Sequence, residues 1–249
     1  MRNIKLTIEF DGTTYYGWQI QKEEPTVQQI LQDTISRILN RPVTLYGAGR
    51  TDAGVHALGQ VANFHTDAAM GVEDLRRALN SLIPKDIAVR KAEEVDARFN
   101  ARYSATSRTY WYLIWNSPLR SAFYQRYSWQ IVTPLDIDAM RKAAACLIGV
   151  HDFSSLQGAD KENGHAVREI MAIHFKRTRN HLIIFSITAN AFVKHMVRNI
   201  AGTLVDAGKG TMSPEEFKNI LERKDRTLAG ITAPPQGLFL KKIYYKIIS

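Results

Sequence analysis

The stretch Ile4-Lys5-Leu6-Thr7-Ile8-Glu9-Phe10 alternates strictly between apolar and polar side chains. A period of two is typical of a β-strand that buries one face, and Asp11-Gly12 ends the run as a turn would. After Pro25, apolar residues recur at helical spacing from residue 27 to residue 39, and Thr26 is the expected N-cap. The opening of the chain therefore predicts a strand followed by an amphipathic helix.

The next sixty residues extend this beginning into a recognisable unit. Apolar and β-branched runs predict strands at 43–46, 60–65 and 87–95, and a helical pattern covers 74–82. The order β-α-β-β-α-β is that of a ferredoxin-like split unit. We therefore expect an N-terminal domain over residues 1–100.

The second half, residues 101–249, repeats this order loosely. The patterns predict the following elements: strands at 109–115, 170–176, 182–189 and 238–247, and helices at 135–147, 191–207 and 214–222. No stretch resembles a flexible linker between the halves. We expect an α/β (α+β) fold in which two ferredoxin-like or RRM-like halves share a mixed, largely antiparallel sheet with flanking helices.

Composition restricts the classes of function. The 33 Lys and Arg residues outnumber 24 Asp and Glu, and the net charge of +9 favours a polyanionic partner such as nucleic acid. The single cysteine, Cys146, excludes internal disulfides and cysteine-based metal sites. Paired metal-ligand spacings and the Gly-x-Gly-x-x-Gly motif are absent, so we expect neither a metal nor a cofactor. No apolar run approaches a membrane span, and the N-terminus has no apolar signal region, which favours the cytoplasm.

The densest small-residue segment runs from Gly47 to Ala57 and contains Arg50, Asp52 and His56. Glycines and alanines around these side chains allow the backbone to turn sharply and a large ligand to approach. A tight turn in which Asp52 bonds its own backbone is the structural alternative.

Aromatic residues alternate with arginines between Arg102 and Tyr112. Such a pattern suits stacking on bases beside neutralised phosphates. In a strand, Tyr110 and Tyr112 lie on one face and Trp111 on the other. Half-buried strand aromatics are the alternative interpretation.

The predicted helix over 191–207 carries a broad apolar stripe with Arg198 at its margin, where the guanidinium can reach inward. A solvated arginine on a core helix is the alternative. His195 lies off the stripe and is expected at the surface or facing nucleic acid. Farther on, the double proline at 234–235 forms a rigid turn into the last strand, where Leu238 and Phe239 point to opposite faces.

Six motifs, in order along the chain, resemble those of the tRNA pseudouridine synthase A family. They are Asp11-Gly12-Thr13-x-Tyr15-x-Gly17-Trp18-Gln19, Gly49-Arg50-Thr51-Asp52-Ala53-Gly54-Val55-His56-Ala57, Arg108-Thr109-Tyr110-Trp111-Tyr112, Gly149-Val150-His151-Asp152-Phe153, Met196-Val197-Arg198-Asn199-Ile200-Ala201-Gly202 and Ala233-Pro234-Pro235-Gln236-Gly237-Leu238. The resemblance covers nearly the whole chain and implies the pseudouridine synthase fold.

The resemblance implies an isomerase that converts uridine to pseudouridine without a cofactor. Asp52 would be the catalytic carboxylate, Arg198 its partner, and Tyr110 the residue that stacks on the target uracil. Arg50 would hold the flipped nucleotide or fill the space it leaves, and Leu238 would be an apolar wall. Three roles suit the carboxylate: attack on the sugar, attack on the uracil ring, or removal of a ribose proton.

The same resemblance implies that the partner is the tRNA anticodon stem-loop, modified at positions 38, 39 and 40, and that the enzyme is a homodimer. Arg102, Arg108 and Lys194 are the candidate phosphate contacts. The alternative function is a non-catalytic tRNA-binding or chaperone protein on the same scaffold. A metal-dependent or nucleophile-dependent hydrolase lacks its residues here.

Overall fold

The computed structural model describes residues 1–158 and 165–246. The chain forms two compact units: the first contains Met1–Thr106 and the segment from Phe239 onward, and the second contains Ser107–Leu238. The sequence division places the last strand in the C-terminal half, whereas most of that strand groups with the first unit. None of the helices in the described part of the chain is long and apolar enough to cross a membrane.

Ten strands and five α-helices are present in the described residues. In chain order they are β1 (Arg2–Phe10), α1 (Val27–Leu39), β2 (Tyr46–Gly47), β3 (His56–Thr66), α2 (Val72–Leu82), β4 (Ile87–Val95), β5 (Ala105–Asn116), β6 (Trp129–Ile131), α3 (Ile137–Ala144), β7 (Gly149–Asp152), β8 (Val167–Arg177), β9 (Leu182–Ala189), α4 (Met196–Gly208), α5 (Pro214–Arg223) and β10 (Leu238–Tyr245). The expected mixed α/β class, mostly antiparallel with flanking helices, is confirmed.

The first unit has the pairing of a split βαβ motif. Strand β1 lies between β4 and β3, antiparallel to both, and β2 pairs antiparallel with β3. Strand β10 runs parallel to the start of β3, where Phe239 faces His56. The alternation of β1 is confirmed, since Ile4, Leu6 and Ile8 are almost completely buried.

The predicted strand at 43–46 is wrong over most of its length, because only Tyr46–Gly47 is a strand. Side chains of α1 replace a neighbouring strand as hydrogen-bond partners here. Ser36 Oγ accepts from the Val43 amide, Gln32 Oε1 accepts from the Leu45 amide, and Gln28 donates to the Leu45 carbonyl. The backbone groups are satisfied without a ladder, so the extended segment never becomes a full strand.

The second unit continues the same order of elements. Strand β5 pairs antiparallel with β9, β9 with β8, and β8 with β7. Helix α3 lies between β5 and β8 in the chain, and α4 follows β9. Helix α3 begins at an Asp136 N-cap whose carboxylate accepts from two first-turn amides, and Ser213 forms a complete capping box on α5.

The prediction of one helix over 191–207 is wrong at its start, because α4 begins at Met196. His195 has a φ of 61°, in the left-handed region, so the chain reverses there instead of continuing a helix. Phe192 and Val193 fall within the predicted helix but lie outside the observed one, so they do not belong to its apolar stripe. His195 is half-buried at the N-cap, not on an open helix face. At the C-terminus the last strand ends at Tyr245, and Ile247 lies outside the described residues.

The end of β7 is joined to the end of α5 by an ion pair that supports a pH prediction. Lys224 Nζ lies 2.8 Å from Asp152 Oδ2. The Lys224 ammonium and the Ser154 hydroxyl lower the pKa of Asp152 from 3.8 to about 2. Because the folded-state pKa is below the unfolded one, this stabilisation is complete above about pH 4 and is lost as the pH falls toward 2.

We expect Asp152→Asn to lower the free energy of unfolding by about 1 kcal/mol at pH 7, since the pair is partly exposed and solvent screens it. Urea denaturation of both proteins between pH 7 and pH 2 measures the difference, which should shrink below about pH 4. Asp33→Asn on the exposed face of α1 is the control and should change little. A difference that stays constant down to pH 2 would contradict the role assigned to the ion pair.

Candidate active site

The segment 47–57, hereafter the Asp52 loop, connects β2 to β3 in the first unit. Its entrance is held by β3, because the Ala48 amide donates to the Val61 carbonyl at 2.8 Å and the Gln60 side chain donates to the Gly49 carbonyl at 2.9 Å. A turn follows, in which the Val55 amide donates to the Asp52 carbonyl at 3.2 Å. The backbone therefore forms a tight turn, as the structural alternative expected. A turn of this kind is also a geometry that presents a side chain.

Residues 11–19, hereafter the N-terminal motif, hold the loop from its other side. The Trp18 amide donates to the Thr51 carbonyl and the Gly54 amide donates to the Tyr15 carbonyl, both at 3.2 Å. The Gly12 amide donates to His56 Nδ1 at 3.0 Å. Asp52 thus lies on a backbone that is hydrogen-bonded on both sides of the turn.

Gly17 makes this close approach possible. Its φ is +85°, and a Cβ at this position would lie 2.3 Å from the Thr51 carbonyl oxygen. Any larger residue would push the Asp52 loop away from the N-terminal motif. The carbonyls of residues 17 and 18 also accept from the first two amides of α1. Thr26 is at the predicted N-cap position but makes no side-chain cap bond, because those carbonyls satisfy the helix end.

The two predicted site residues of this loop differ in exposure. Asp52 is half-buried, whereas Arg50 is exposed. The His56 ring is buried and stacks on Phe239, with ring centroids 4.7 Å apart. The unit therefore presents one partly shielded carboxylate and, two residues earlier in the chain, a solvent-accessible guanidinium.

The other predicted site residues belong to the second unit. Tyr110 lies on β5, is almost completely buried, and meets the edge of Phe192 with ring centroids 5.0 Å apart. The predicted alternation of β5 is confirmed, since Tyr110, Tyr112 and Ile114 are buried and Trp111 is half-buried. Leu238 is buried at the start of β10.

Arg198, in the first turn of α4, is held by the segment that precedes β10. Its Nε donates to the Ala233 carbonyl at 2.7 Å, and its own carbonyl accepts from the Ala233 amide at 3.1 Å. The sequence leaves open whether Arg198 is solvated or turned inward, and its half-buried side chain with a fixed Nε supports the second interpretation. The hydrogen bond from Nε restricts the orientation of the guanidinium plane.

Tyr112 connects the same segment to β5. Its hydroxyl donates to the Pro234 carbonyl at 2.8 Å, and the ring packs against Gly237. Burial raises the pKa of Tyr112 well above its usual value, although the charge of Arg198 lowers it slightly, so the phenol stays neutral and keeps donating. The motifs around Tyr110, Arg198 and Leu238 are thereby fastened to one another.

A polar network that no sequence pattern predicted supports the segment before β10. Asn199 is completely buried, and its Oδ1 accepts from Thr232 Oγ1 at 2.7 Å and from Arg226 at 3.1 Å. Arg226 also donates to the carbonyls of residues 229 and 230. No motif marks Arg226, which follows α5 in an ordinary charged stretch. The one available signal is Asn199, because a buried asparagine requires hydrogen-bond partners.

The three candidate phosphate contacts have different surroundings. Arg102 is exposed and lies 5.6 Å from the ring centroid of its neighbour Tyr103. Arg108 is half-buried and donates to the Asn190 carbonyl at 2.7 Å. The Lys194 carbonyl accepts from the Gly158 amide at 2.9 Å, just before α4. Their role as phosphate contacts stays a prediction.

The chemistry available to these residues is that of one carboxylate with arginines and a phenol. Among the residues the structure describes, no group of three or more His, Cys, Asp or Glu side chains is arranged to hold a metal ion. Asp52 and Arg50 lie in the first unit, and Tyr110, Arg198 and Leu238 in the second. The pairing of Asp52 with Arg198 stays a prediction.

The sequence of the chain is similar to those of known proteins. A family model described as tRNA pseudouridine synthase matches residues 6–104 and 143–246. The tRNA pseudouridine synthase A of Thermoanaerobacter sp. (strain X514) is 46% identical over 245 residues, covering 98% of this chain and 100% of the relative. The tRNA pseudouridine synthase A of Myxococcus xanthus is 43% identical over 246 residues, covering 99% and 93%.

These matches span both units, and the family model covers five of the six motifs, all except Arg108–Tyr112. The two relatives match almost the whole chain. The chain therefore belongs to the tRNA pseudouridine synthase family, the enzymes that isomerise uridine to pseudouridine.

Proposed function

We propose that this enzyme acts in the cytoplasm as a homodimer and converts uridine to pseudouridine at positions 38, 39 and 40 of the tRNA anticodon stem-loop. Asp52 is the catalytic carboxylate in this proposal. The observation that carries it is the Asp52 loop, where hydrogen bonds from residues 12–18 hold both sides of the turn that presents Asp52. Such preorganisation suits a group that must meet a reacting atom in one orientation.

The reaction exchanges one bond of the ribose for another. The bond between N1 of uracil and C1′ breaks, the base rotates, and a bond between C5 and C1′ forms. The proton on C5 is lost and N1 gains one, so the product is an isomer and no oxidant or cofactor is required. Because a stacked base cannot rotate, the target uridine must leave its stack, at a cost of a few kcal/mol that pocket contacts offset.

The proposed partner of Asp52 is Arg198. A carboxylate in a water-poor pocket loses hydration, and a close arginine favours its charged form. The contact of Arg198 Nε with the Ala233 carbonyl supports this role, because it restricts the guanidinium, and a guanidinium can bind a carboxylate through two parallel bonds.

The remaining residues confine the base and hold the RNA. Tyr110 stacks on the detached uracil, and Leu238 is an apolar wall that restricts it without binding its polar edge. Both suit a base that must rotate, since stacking and apolar contact depend little on rotation in the plane. Arg50, which is exposed, holds the flipped nucleotide or fills the space it leaves. Arg102, Arg108 and Lys194 contact phosphates.

Asp52→Asn should abolish pseudouridine formation, a loss of more than about a thousandfold, while tRNA affinity stays close to that of the wild type. Release of tritium from tRNA labelled at C5 of uridine measures turnover, and filter binding measures affinity. Asp33→Asn, an exposed change of the same kind on α1, should keep full activity. Measurable turnover by Asp52→Asn would refute the proposed role of Asp52.

Arg198→Ala should severely reduce turnover and lower the free energy of unfolding by about 3 kcal/mol, because it strands a carboxylate and removes the donor to the Ala233 carbonyl. Arg223→Ala at the exposed end of α5 is the control and should change both values little. Wild-type turnover together with a wild-type melting temperature in Arg198→Ala would show that the guanidinium is only a surface group.

Tyr110→Phe should retain most of the turnover, because the ring that stacks on uracil is unchanged. Tyr110→Ala should lose activity, since stacking is worth about 1–3 kcal/mol per base. Single-turnover rates of both variants separate the two contributions. A large loss in Tyr110→Phe would contradict a purely stacking role and assign the hydroxyl to proton transfer at C5.

A further inference from the structure

The loop from Ser117 to Ser128, hereafter the 117–128 loop, connects β5 to β6 in the second unit and exposes large apolar side chains. Phe123 is 85% exposed and Leu119 is 76% exposed. A single exposed apolar residue is ordinary on a protein surface. Two such side chains on one loop, four residues apart in the chain, mark it as a candidate contact surface.

The 117–128 loop is built around its other aromatic residues. Trp115 stacks on Tyr124, with ring centroids 5.0 Å apart and planes at 19°. Trp115 Nε1 donates to the Leu119 carbonyl at 2.8 Å, and Ser128 Oγ donates to the Tyr124 carbonyl at 2.7 Å. The half-buried Tyr124 ring therefore packs against Trp115, whereas the adjacent Phe123 lies in solvent. These contacts hold the backbone beside Phe123, so less loop entropy is lost when a partner binds.

The charge around Phe123 is positive. Arg120 and Arg126 are exposed on either side of it, and the 117–128 loop contains no acidic residue. Neither guanidinium makes an ion pair or a side-chain hydrogen bond with any residue that the structure describes. The turn between β8 and β9 adds exposed Arg179 beside His181, whose ring lies 6.0 Å from that of Trp115.

We propose that the 117–128 loop is a second RNA-contact surface, on which Phe123 stacks on an unpaired base of the tRNA while Arg120 and Arg126 contact phosphates. The proposal rests on tRNA being the substrate. An exposed aromatic between arginines suits single-stranded or loop nucleotides, because every base has a face for stacking and phosphates neutralise the flanking charges. A two-fold contact between copies of this chain would bring arginines against arginines, which disfavours self-association through this surface.

Substitutions at Phe123 test the stacking contact. Phe123→Ala and Phe123→Leu should each raise the Kd for a fluorescein-labelled, unmodified tRNA transcript about 5-fold or more, whereas Phe123→Trp should bind like the wild type. Leucine keeps the apolar surface but has no ring face, so it separates base stacking from a general apolar contact. Val150→Ala, which trims an exposed side chain on β7, is the control and should leave Kd unchanged. The expected turnover of the Phe123 variants at saturating tRNA is that of the wild type.

The phosphate contacts are tested by salt dependence. The double variant Arg120→Gln/Arg126→Gln should reduce the slope of log Kd against log salt by about 1.5, as two lost phosphate contacts require. The double variant Arg77→Gln/Arg223→Gln removes the same charge from exposed helix positions and should leave the slope nearly unchanged.

Three results would overturn the proposal. They are wild-type Kd in Phe123→Ala, equal binding by Phe123→Leu and Phe123→Trp, and a change of oligomeric state in Phe123→Ala by light scattering, which would assign the surface to a protein contact. If the proposed function itself is wrong, the wild-type enzyme forms no pseudouridine, and this result is distinct from the three above. Failure of this surface alone shows as unchanged Kd in the variants of an active enzyme.

Discussion

The contact between the N-terminal motif and the Asp52 loop is the constraint on which the rest of the site depends. Three hydrogen bonds, from the amides of Trp18, Gly54 and Gly12, join the two segments, and each links residues more than thirty positions apart in the chain. Without a side chain at Gly17, the two backbones can approach closely enough to form them. The geometry of the proposed catalytic carboxylate is thus set by backbone contacts, which vary less than contacts between flexible side chains.

In the second unit, hydrogen bonds to the backbone likewise hold the candidate site residues. The segment before β10 is fastened through its carbonyls, which accept from Arg198, Tyr112 and Arg226. Gly202 allows this packing, since a Cβ there would lie 1.8 Å from the Ile231 carbonyl oxygen. An arginine that helps hold its own surroundings has less conformational entropy to lose, which favours the proposed pair with Asp52. Charge placement and fold stability are therefore linked at Arg198.

Local patterns predicted most of the fold, and they marked the candidate site residues, whose roles stay predictions. The alternation in β1 and β5 and the helical pattern of α3 and α5 depend on neighbours in sequence, which is why these elements were predictable. The sequence predictions were wrong where residues distant in the chain determine the local structure. At 43–45, side chains of α1 occupy the backbone groups that a strand would use, and at His195 a left-handed residue starts α4 late. Likewise, Arg226 binds Asn199 from 27 residues away, a contact that no periodicity reveals.

The proposal on which the others depend is that the Asp52 carboxylate catalyses the isomerisation of uridine in the anticodon stem-loop. Its most direct test is the mapping of pseudouridine, by carbodiimide modification and primer extension, in tRNA from a strain that lacks this activity and carries either the wild-type gene or Asp52→Asn. We expect pseudouridine at positions 38, 39 and 40 with the wild type and none there with Asp52→Asn. Unmodified uridine at all three positions with the wild type, or equal modification by both proteins, would contradict the account.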